Sequence, residues 1–183
     1  AQLNGVLPPT LGDWALPPSQ LPYFKQDLAR AKSLLADAGY ASGLTFTVLA
    51  SPAYPQFPSI GLAMQSQLKK IGVTMNVDQI EWGNFIAKWR AREFESFVSY
   101  QAGGSDPDDA LYNAFYGGAS ANAVGLNDPK VNELLDKGRT TADRNERLKI
   151  YNDLQLAIDQ QVPDIFLFTR TEYMGARNNV KGF

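Results

Sequence analysis

The 183-residue chain reads as an α/β domain with a central, mostly parallel sheet flanked by helices, and three observations predict it. Leu44–Ala50 and residues 73–80 are apolar and β-branched runs of strand length. Between them Ile60, Met64, Leu68 and Ile71 form one helix face closed by Gly72, and a strand, helix and strand joined this way imply a right-handed parallel crossover. Farther on, Phe97, Ser99 and Gln101 alternate with Val98 and Tyr100, the paired glycines Gly103 and Gly104 follow, and Asp106-Pro107 supplies a helix N-cap with proline at the first helical position.

The elements follow in order. Residues 1–22 hold five of the eleven prolines, which predicts an extended lead-in or hinge segment, with residues 23–183 forming a single α/β ligand-binding lobe. Leu28, Ala31, Leu35 and Ala38 repeat at helical spacing, and Gly39 stands as a C-terminal cap. After the second strand, Trp82, Phe85, Ile86 and Trp89 share a helix face, so both tryptophans are expected in the core. A third strand is expected near 95–101, beside the first. Asp128 with Pro129 opens a helix through about Gly138. Asp143 and Glu146 have capping-box spacing ahead of a helix carrying Tyr151, Leu154 and Ile158. Residues 165–168 are a buried strand candidate, and no internal repeat or low-complexity stretch interrupts the chain.

Composition removes several function classes. A net charge of -2 offers no basic field, so nucleic acid and anionic lipid are disfavoured partners. No apolar run approaches the roughly 18 residues of a membrane span, so direct membrane insertion is not expected. The chain has no histidine and no cysteine, which excludes serine–histidine and cysteine–histidine catalysis and zinc–thiolate sites, and no cofactor is expected. It begins Ala1-Gln2-Leu3-Asn4, with neither an initiator methionine nor a signal sequence, and is expected to be one lobe of a larger protein.

The strand, glycine loop and helix start at 97–107 read as a binding edge, because they leave backbone N–H groups free at the carboxyl edge of a sheet. Tyr54 lies in the loop after the first strand, on the same edge if the strands are parallel. Tyr54 and Tyr100 are candidates to stack on a ligand or hydrogen-bond to it, and packing against a neighbouring loop would account for them equally well. Gln101, Gly103, Gly104 and Asp106 complete the candidate wall. Asn122 is either a polar contact or an ordinary turn residue. Asp106, Asp108 and Asp109 do not make an EF-hand, since Gly117 occupies the twelfth position where glutamate is needed, and helix capping explains them better. Asp78 and Glu81 lack the rest of an acid–base site. The paired glycines lack both the Walker pattern and dinucleotide spacing.

Taken in order, residues 29–40 (ARAKSLLADAGY), 60–73 (IGLAMQSQLKKIGV), Glu81-Trp82, the glycine loop, Asn127-Asp128-Pro129, residues 143–151 (DRNERLKIY), Gln161-Val162-Pro163 and Val180-Lys181-Gly182-Phe183 resemble the C-terminal lobe of the family 5 extracellular solute-binding proteins. These are the dipeptide, oligopeptide and nickel type of ABC importer receptor. The resemblance covers nearly the whole chain and implies a periplasmic-binding-protein type II-like lobe. It also implies a periplasmic or extracytoplasmic location, a small-molecule solute held in a cleft between two lobes, and a membrane permease as partner of the full-length receptor.

One departure from the family pattern bears on the solute. Peptide-binding relatives tend to read Trp-x-Ala-Asp-Tyr-x-Asp/Glu-Pro, the first aspartate pairing with the peptide α-ammonium group; here Tyr100, Ala102, Gly103, Gly104, Asp106 and Pro107 take those places. Removing the partner of a largely buried ammonium costs on the order of 3 to 5 kcal/mol, so the expectation is a non-peptide, oxygen-rich or carboxylate-bearing solute. The alternatives are a peptide receptor using another anchor and, in a different class, a carboxylate-dependent hydrolase.

Overall fold

A computed structural model describes residues 1–101, 103–171, 173, 175–177 and 179–181. Ala102 of the glycine loop, and Gly182 and Phe183 of the closing motif, lie outside the described residues. The order is β1 (Gln2–Leu3), two 3-10 turns (Pro9–Trp14 and Pro18–Gln20), α1 (Leu28–Asp37), β2 (Leu44–Ala50), α2 (Gln56–Leu68) with a 3-10 turn Lys69–Ile71, β3 (Val73–Gln79), α3 (Trp82–Ala91), β4 (Ser96–Phe97), α4 (Pro107–Phe115), α5 (Pro129–Thr140), α6 (Arg144–Gln161) and β5 (Phe168–Thr169).

The main sheet has strand order β3-β2-β4, and every pairing in it is parallel. Leu44 lies opposite Val73 and Ala50 opposite Gln79, so the first two strands run in register along their full length. Alternate residues Phe46, Val48 and Ala50 join Met75 and Val77 on one face. There α2 packs with Phe57, Ile60, Met64 and Leu68, the last three of them on the face foreseen from its spacing. Close approach is possible because Gly61 has no side chain; a Cβ there would stand 3.1 Å from Val77 Cγ1. The Gln65 amide donates to the Met75 carbonyl at 2.6 Å, and Gly72 ends the turn after α2 at φ 84, a left-handed angle that glycine adopts without strain. The third strand is shorter than the 95–101 expected: two residues form the ladder, the Val98 N–H adds a bond to Leu49 O at 2.8 Å, and the glycine loop then turns away.

A second core sits among α4, α5 and α6, with Leu111, Phe115, Val131, Leu135, Tyr151, Leu154 and Ile158 fully buried. Residues 1–22 correct the expectation of an extended lead-in. Val6, Leu7 and Leu21 are buried in this core, and the turn Pro9–Trp14 packs against α6, where Gln155 binds Trp14 O and Leu16 N. Proline spacing signalled an absence of long periodicity, but short turns need none, and Leu11, Trp14 and Leu16 pack beside the three buried side chains. Residues 165–168 also depart from expectation, since β5 pairs antiparallel with β1 over two residues only. Ile165 is 65% and Phe168 41% exposed, because this small ribbon has no second layer of the described chain on that side. Both tryptophans of α3 are half-buried, and Phe85 alone of that face is fully covered. Helix α1 buries no side chain; Ala31 and Leu35 are half-covered.

Candidate functional site

Because β2, β3 and β4 are parallel, the chain leaves all three at the same sheet edge, and each exit carries an aromatic residue: Tyr54 after β2, Trp82 after β3 and Tyr100 after β4. The three converge. Tyr54 lies 4.9 Å from Trp82 and 5.5 Å from Tyr100 between ring centroids, with Phe57 stacked beneath it at 4.9 Å. Trp82 in turn stacks on Phe85 at 5.1 Å. The turn that presents Tyr54 is built from buried Ser51, whose carbonyl accepts from Tyr54 N at 3.2 Å and whose hydroxyl accepts from Ala53 N at 3.4 Å. The neighbouring Tyr100 hydroxyl, then partial desolvation, raises the Tyr54 pKa. Tyr100 is 57% exposed and forms the outer surface of the wall.

The loop beyond Tyr100 is fastened at Gln101 and at Asp106 and exposed at its two glycines. Gln101 donates its side-chain amide to Ala110 O at 2.6 Å, while Gly103 and Gly104 are exposed. A Cβ at Gly103 would meet nothing within 4 Å, whereas one at Gly104 would overlap Asp109, whose side chain lies across that backbone. Asp106 caps α4 by accepting from Asp108 N at 2.8 Å, and Arg147 grips its carboxylate with both terminal nitrogens, at 2.6 and 2.7 Å. The guanidinium holds that carboxyl below its usual range. Arg147 also donates to Gly138 O at 2.8 Å and to the Tyr151 hydroxyl at 3.3 Å, and it lies 5.3 Å from the Trp14 ring centroid. Asp108 pairs with Arg139 at 2.8 Å, and that guanidinium lies over Tyr112 at 3.4 Å. Asp109 is exposed and, among the described residues, has no ion-pair partner.

One sequence candidate is buried away from the wall, and another stays with its charge already paired. Asn122 is fully buried, and its amide donates to Tyr116 O at 3.0 Å and Leu126 O at 2.6 Å while its oxygen accepts from Leu126 N at 3.1 Å. It staples the turn before α5 and has no amide group left to offer a solute. Asp106 remains at the loop's end with its charge already matched. Tyr54 and Tyr100 do meet, and Gln101, Gly103 and Gly104 sit beside them. Glu81 caps α3 through Gly83 N at 2.7 Å and Asn84 N at 3.2 Å, which accounts for its carboxylate without an acid–base role. Sequence reasoning assigned Trp82 to the core and passed over Arg147. The first was findable, since Trp82 follows its strand as Tyr54 follows β2; no local pattern pointed to the second, which acts across 41 residues. Among the described residues, no cluster of three or more acidic side chains could hold a metal ion.

The solved structures that this fold is similar to are type II periplasmic binding proteins, and the parallel sheet with its flanking helices has the architecture of one of their lobes. Residues 1–123 match the family model of bacterial extracellular solute-binding proteins, family 5 Middle, and the chain belongs to that family. It is 25% identical to the dipeptide-binding protein of Escherichia coli K12 over 98% of its own length and 35% of that protein's. It is 28% identical to di/tripeptide-binding protein 4 of Pseudomonas aeruginosa UCBPP-PA14, again over 98% of the chain and 36% of the relative. The chain thus spans about a third of the length of these curated relatives. Among solved structures it is similar to the PBP AgaA from A. tumefaciens R10 in complex with agropinic acid, at 32% identity and a TM-score of 0.82, covering 93% of this chain and 35% of that one. It is also similar to the periplasmic binding protein DppA from Helicobacter pylori in complex with the peptide STSA, at 26% identity and a TM-score of 0.78, over 91% of this chain and 33% of that one. No described helix is long and apolar enough to cross a membrane.

Proposed function

We propose that residues 23–183 form a ligand-binding lobe that supplies one wall of the solute cleft in an ABC importer's receptor, working in the periplasm or cell envelope and delivering its solute to a membrane permease. The observation that carries this reading is the convergence of Tyr54, Trp82 and Tyr100 from three parallel strand ends beside an open glycine loop. Such a wall offers aromatic faces, tyrosine hydroxyls and backbone N–H groups, and a second lobe closing over it would exclude water and strengthen each polar contact.

The solute is a non-peptide bearing carboxylate or hydroxyl oxygens. Gly103 provides no carboxylate for a peptide ammonium, and Asp106 is already paired with Arg147. The similarity to a binding protein complexed with agropinic acid agrees with this class. The peptide reading draws on the names of the dipeptide-binding relatives and on Asp109, the acid beside Gly104 that has no cation partner among the described residues. Calorimetry on the full-length receptor separates the two. Wild type is expected to bind di- and tripeptides poorly, and Gly103→Asp is expected to raise their affinity, since open space at that Cβ admits the new side chain. Tight peptide binding by wild type, lost in Asp109→Asn, would establish the peptide reading instead.

A further inference from the structure

Gly104 and Asp109 share one volume. A Cβ at Gly104 would lie 2.5 Å from Asp109 Oδ2 and 2.8 Å from its Cγ, so Asp109 occupies the space that any side chain at 104 would need. The first turn of α4 carries Asp109 there, and Gln101 ties that turn to the wall by donating to Ala110 O at 2.6 Å. Asp106 is matched by Arg147 and Asp108 by Arg139, whereas Asp109 is exposed and has no cation partner among the described residues. It also lies beyond the peptide-binding pattern, whose last position here is Pro107. Next to its carboxylate is the exposed backbone of Gly104, preceded by that of Gly103, and neither N–H donates to any group among the described residues.

We propose that Asp109 is a specificity-determining residue of the solute wall: standing in the space left open at Gly104, its carboxylate accepts hydrogen bonds from hydroxyl groups of a solute that carries a vicinal diol at this end of the cleft. The inference rests on the solute-wall reading of this loop and narrows the solute class there from carboxylate or hydroxyl oxygens to hydroxyls. A surface that sets a carboxylate acceptor beside free N–H donors matches a group that both donates and accepts, and a hydroxyl does both. An ammonium only donates, so it would leave the N–H groups facing a cation. A solute carboxylate only accepts, and it would face the Asp109 charge. A diol gives one donor to each carboxylate oxygen, and such charge-assisted bonds strengthen when a closing lobe excludes water.

The test is calorimetric titration of the full-length receptor with sorbitol, a neutral polyol, with adipate, a dicarboxylate of the same chain length, and with the dipeptide Ala-Ala. Wild type is expected to bind sorbitol more tightly than adipate, and Asp109→Asn to weaken sorbitol about tenfold. Gly104→Ala keeps the Asp109 charge but pushes it aside, so it is expected to weaken sorbitol similarly, and the double variant to lose no more than either single one. An aspartate that served only α4 would show no such coupling. The inference is overturned by sorbitol affinity unchanged in Asp109→Asn, by additive losses in the double variant, or by a wild type that prefers adipate or binds no sorbitol. Should Gly104→Ala fail to fold, the preference between sorbitol and adipate decides alone, with a shift of about tenfold toward adipate expected in Asp109→Asn. Tight Ala-Ala binding by wild type overturns the non-peptide class, and its loss in Asp109→Asn would make this carboxylate an ammonium anchor and overturn the inference as well. Sorbitol binding that ignores Asp109, with Ala-Ala bound poorly, overturns the inference alone.

Discussion

The sheet half and the helical half of this chain hold themselves together by different means. Around β2, β3 and α2 the core is aliphatic and aromatic, and rings continue outward from it to the sheet edge. Around α4, α5 and α6 the core is equally apolar, but its margin is ionic: Asp106–Arg147, Asp108–Arg139 and Glu133–Lys137 all lie there, and Arg144 binds Asp13 of the strap. The glycine loop joins the two, with Gln101 reaching Ala110 O, and Arg92 of the sheet half donates to Asn122 O at 3.0 Å. The difference teaches how an open wall is kept in place. Its recognition surface stands on the half with unfilled edge space, while the charges that fasten its far end are drawn into the half that needs no exposed site.

That contrast is broken most forcefully at the helical core. Phe115 is fully buried, so Phe115→Ala is expected to lower urea-unfolding stability by about 3 to 5 kcal/mol, whereas Tyr54→Ala at the half-exposed sheet edge is expected to cost about 1 kcal/mol. Equal losses would mean that the edge is as much a part of the core as α4. Next comes the strap. Gln155 is buried and binds Trp14 O at 2.8 Å and Leu16 N at 3.0 Å, so Gln155→Leu strands two backbone groups and is expected to cost about 2 kcal/mol in the same measurement.

The helical half predicts a pH dependence at both ends of the range. Asp106 has its folded pKa depressed, so its contribution is present above the ordinary carboxylate range near 4 and is lost as pH falls through the folded value. Tyr151 is pushed up to about 12, chiefly by burial, so its contribution is complete below the ordinary tyrosine value near 10 and is lost as pH rises from there toward 12. Thermal melts across pH are expected to show both declines, the alkaline one reduced in Tyr151→Phe. The smallest effect on stability belongs to the wall itself. Tyr100→Phe removes an exposed hydroxyl and is expected to change stability by less than about 0.5 kcal/mol, while solute affinity of the full-length receptor falls. Unchanged affinity would remove that hydroxyl from the binding surface.

Much of the sheet half was legible in advance, because its signals are local. The run at Leu44–Ala50 and the face of Ile60, Met64 and Leu68 each emerge from short-range periodicity, and in the helical half the three caps at Asp106, Asp128 and Asp143 were legible for the same reason. The wall was half legible. Tyr54 and Tyr100 follow strands, and parallel pairing puts strand ends together, but the same reasoning applied to Trp82 was overruled by its helical spacing. Asn122 and Asp106 looked identical to ligand contacts in sequence, since a polar side chain in a loop carries no mark of where its hydrogen bonds go.

By itself, the amino-acid sequence determined the α/β order, the parallel crossover, the helix boundaries set by caps and the family to which the chain belongs, all of which rest on patterns a few residues long or on their order. Only the tertiary structure decided which polar groups remain free. Arg147 meets Asp106 across 41 residues, Gln155 meets Leu16 across 139, and the strap's Val6 and Leu7 find their burial against helices near the other end of the chain. Side-chain satisfaction and charge pairing are properties of proximity in space, and no local periodicity encodes them.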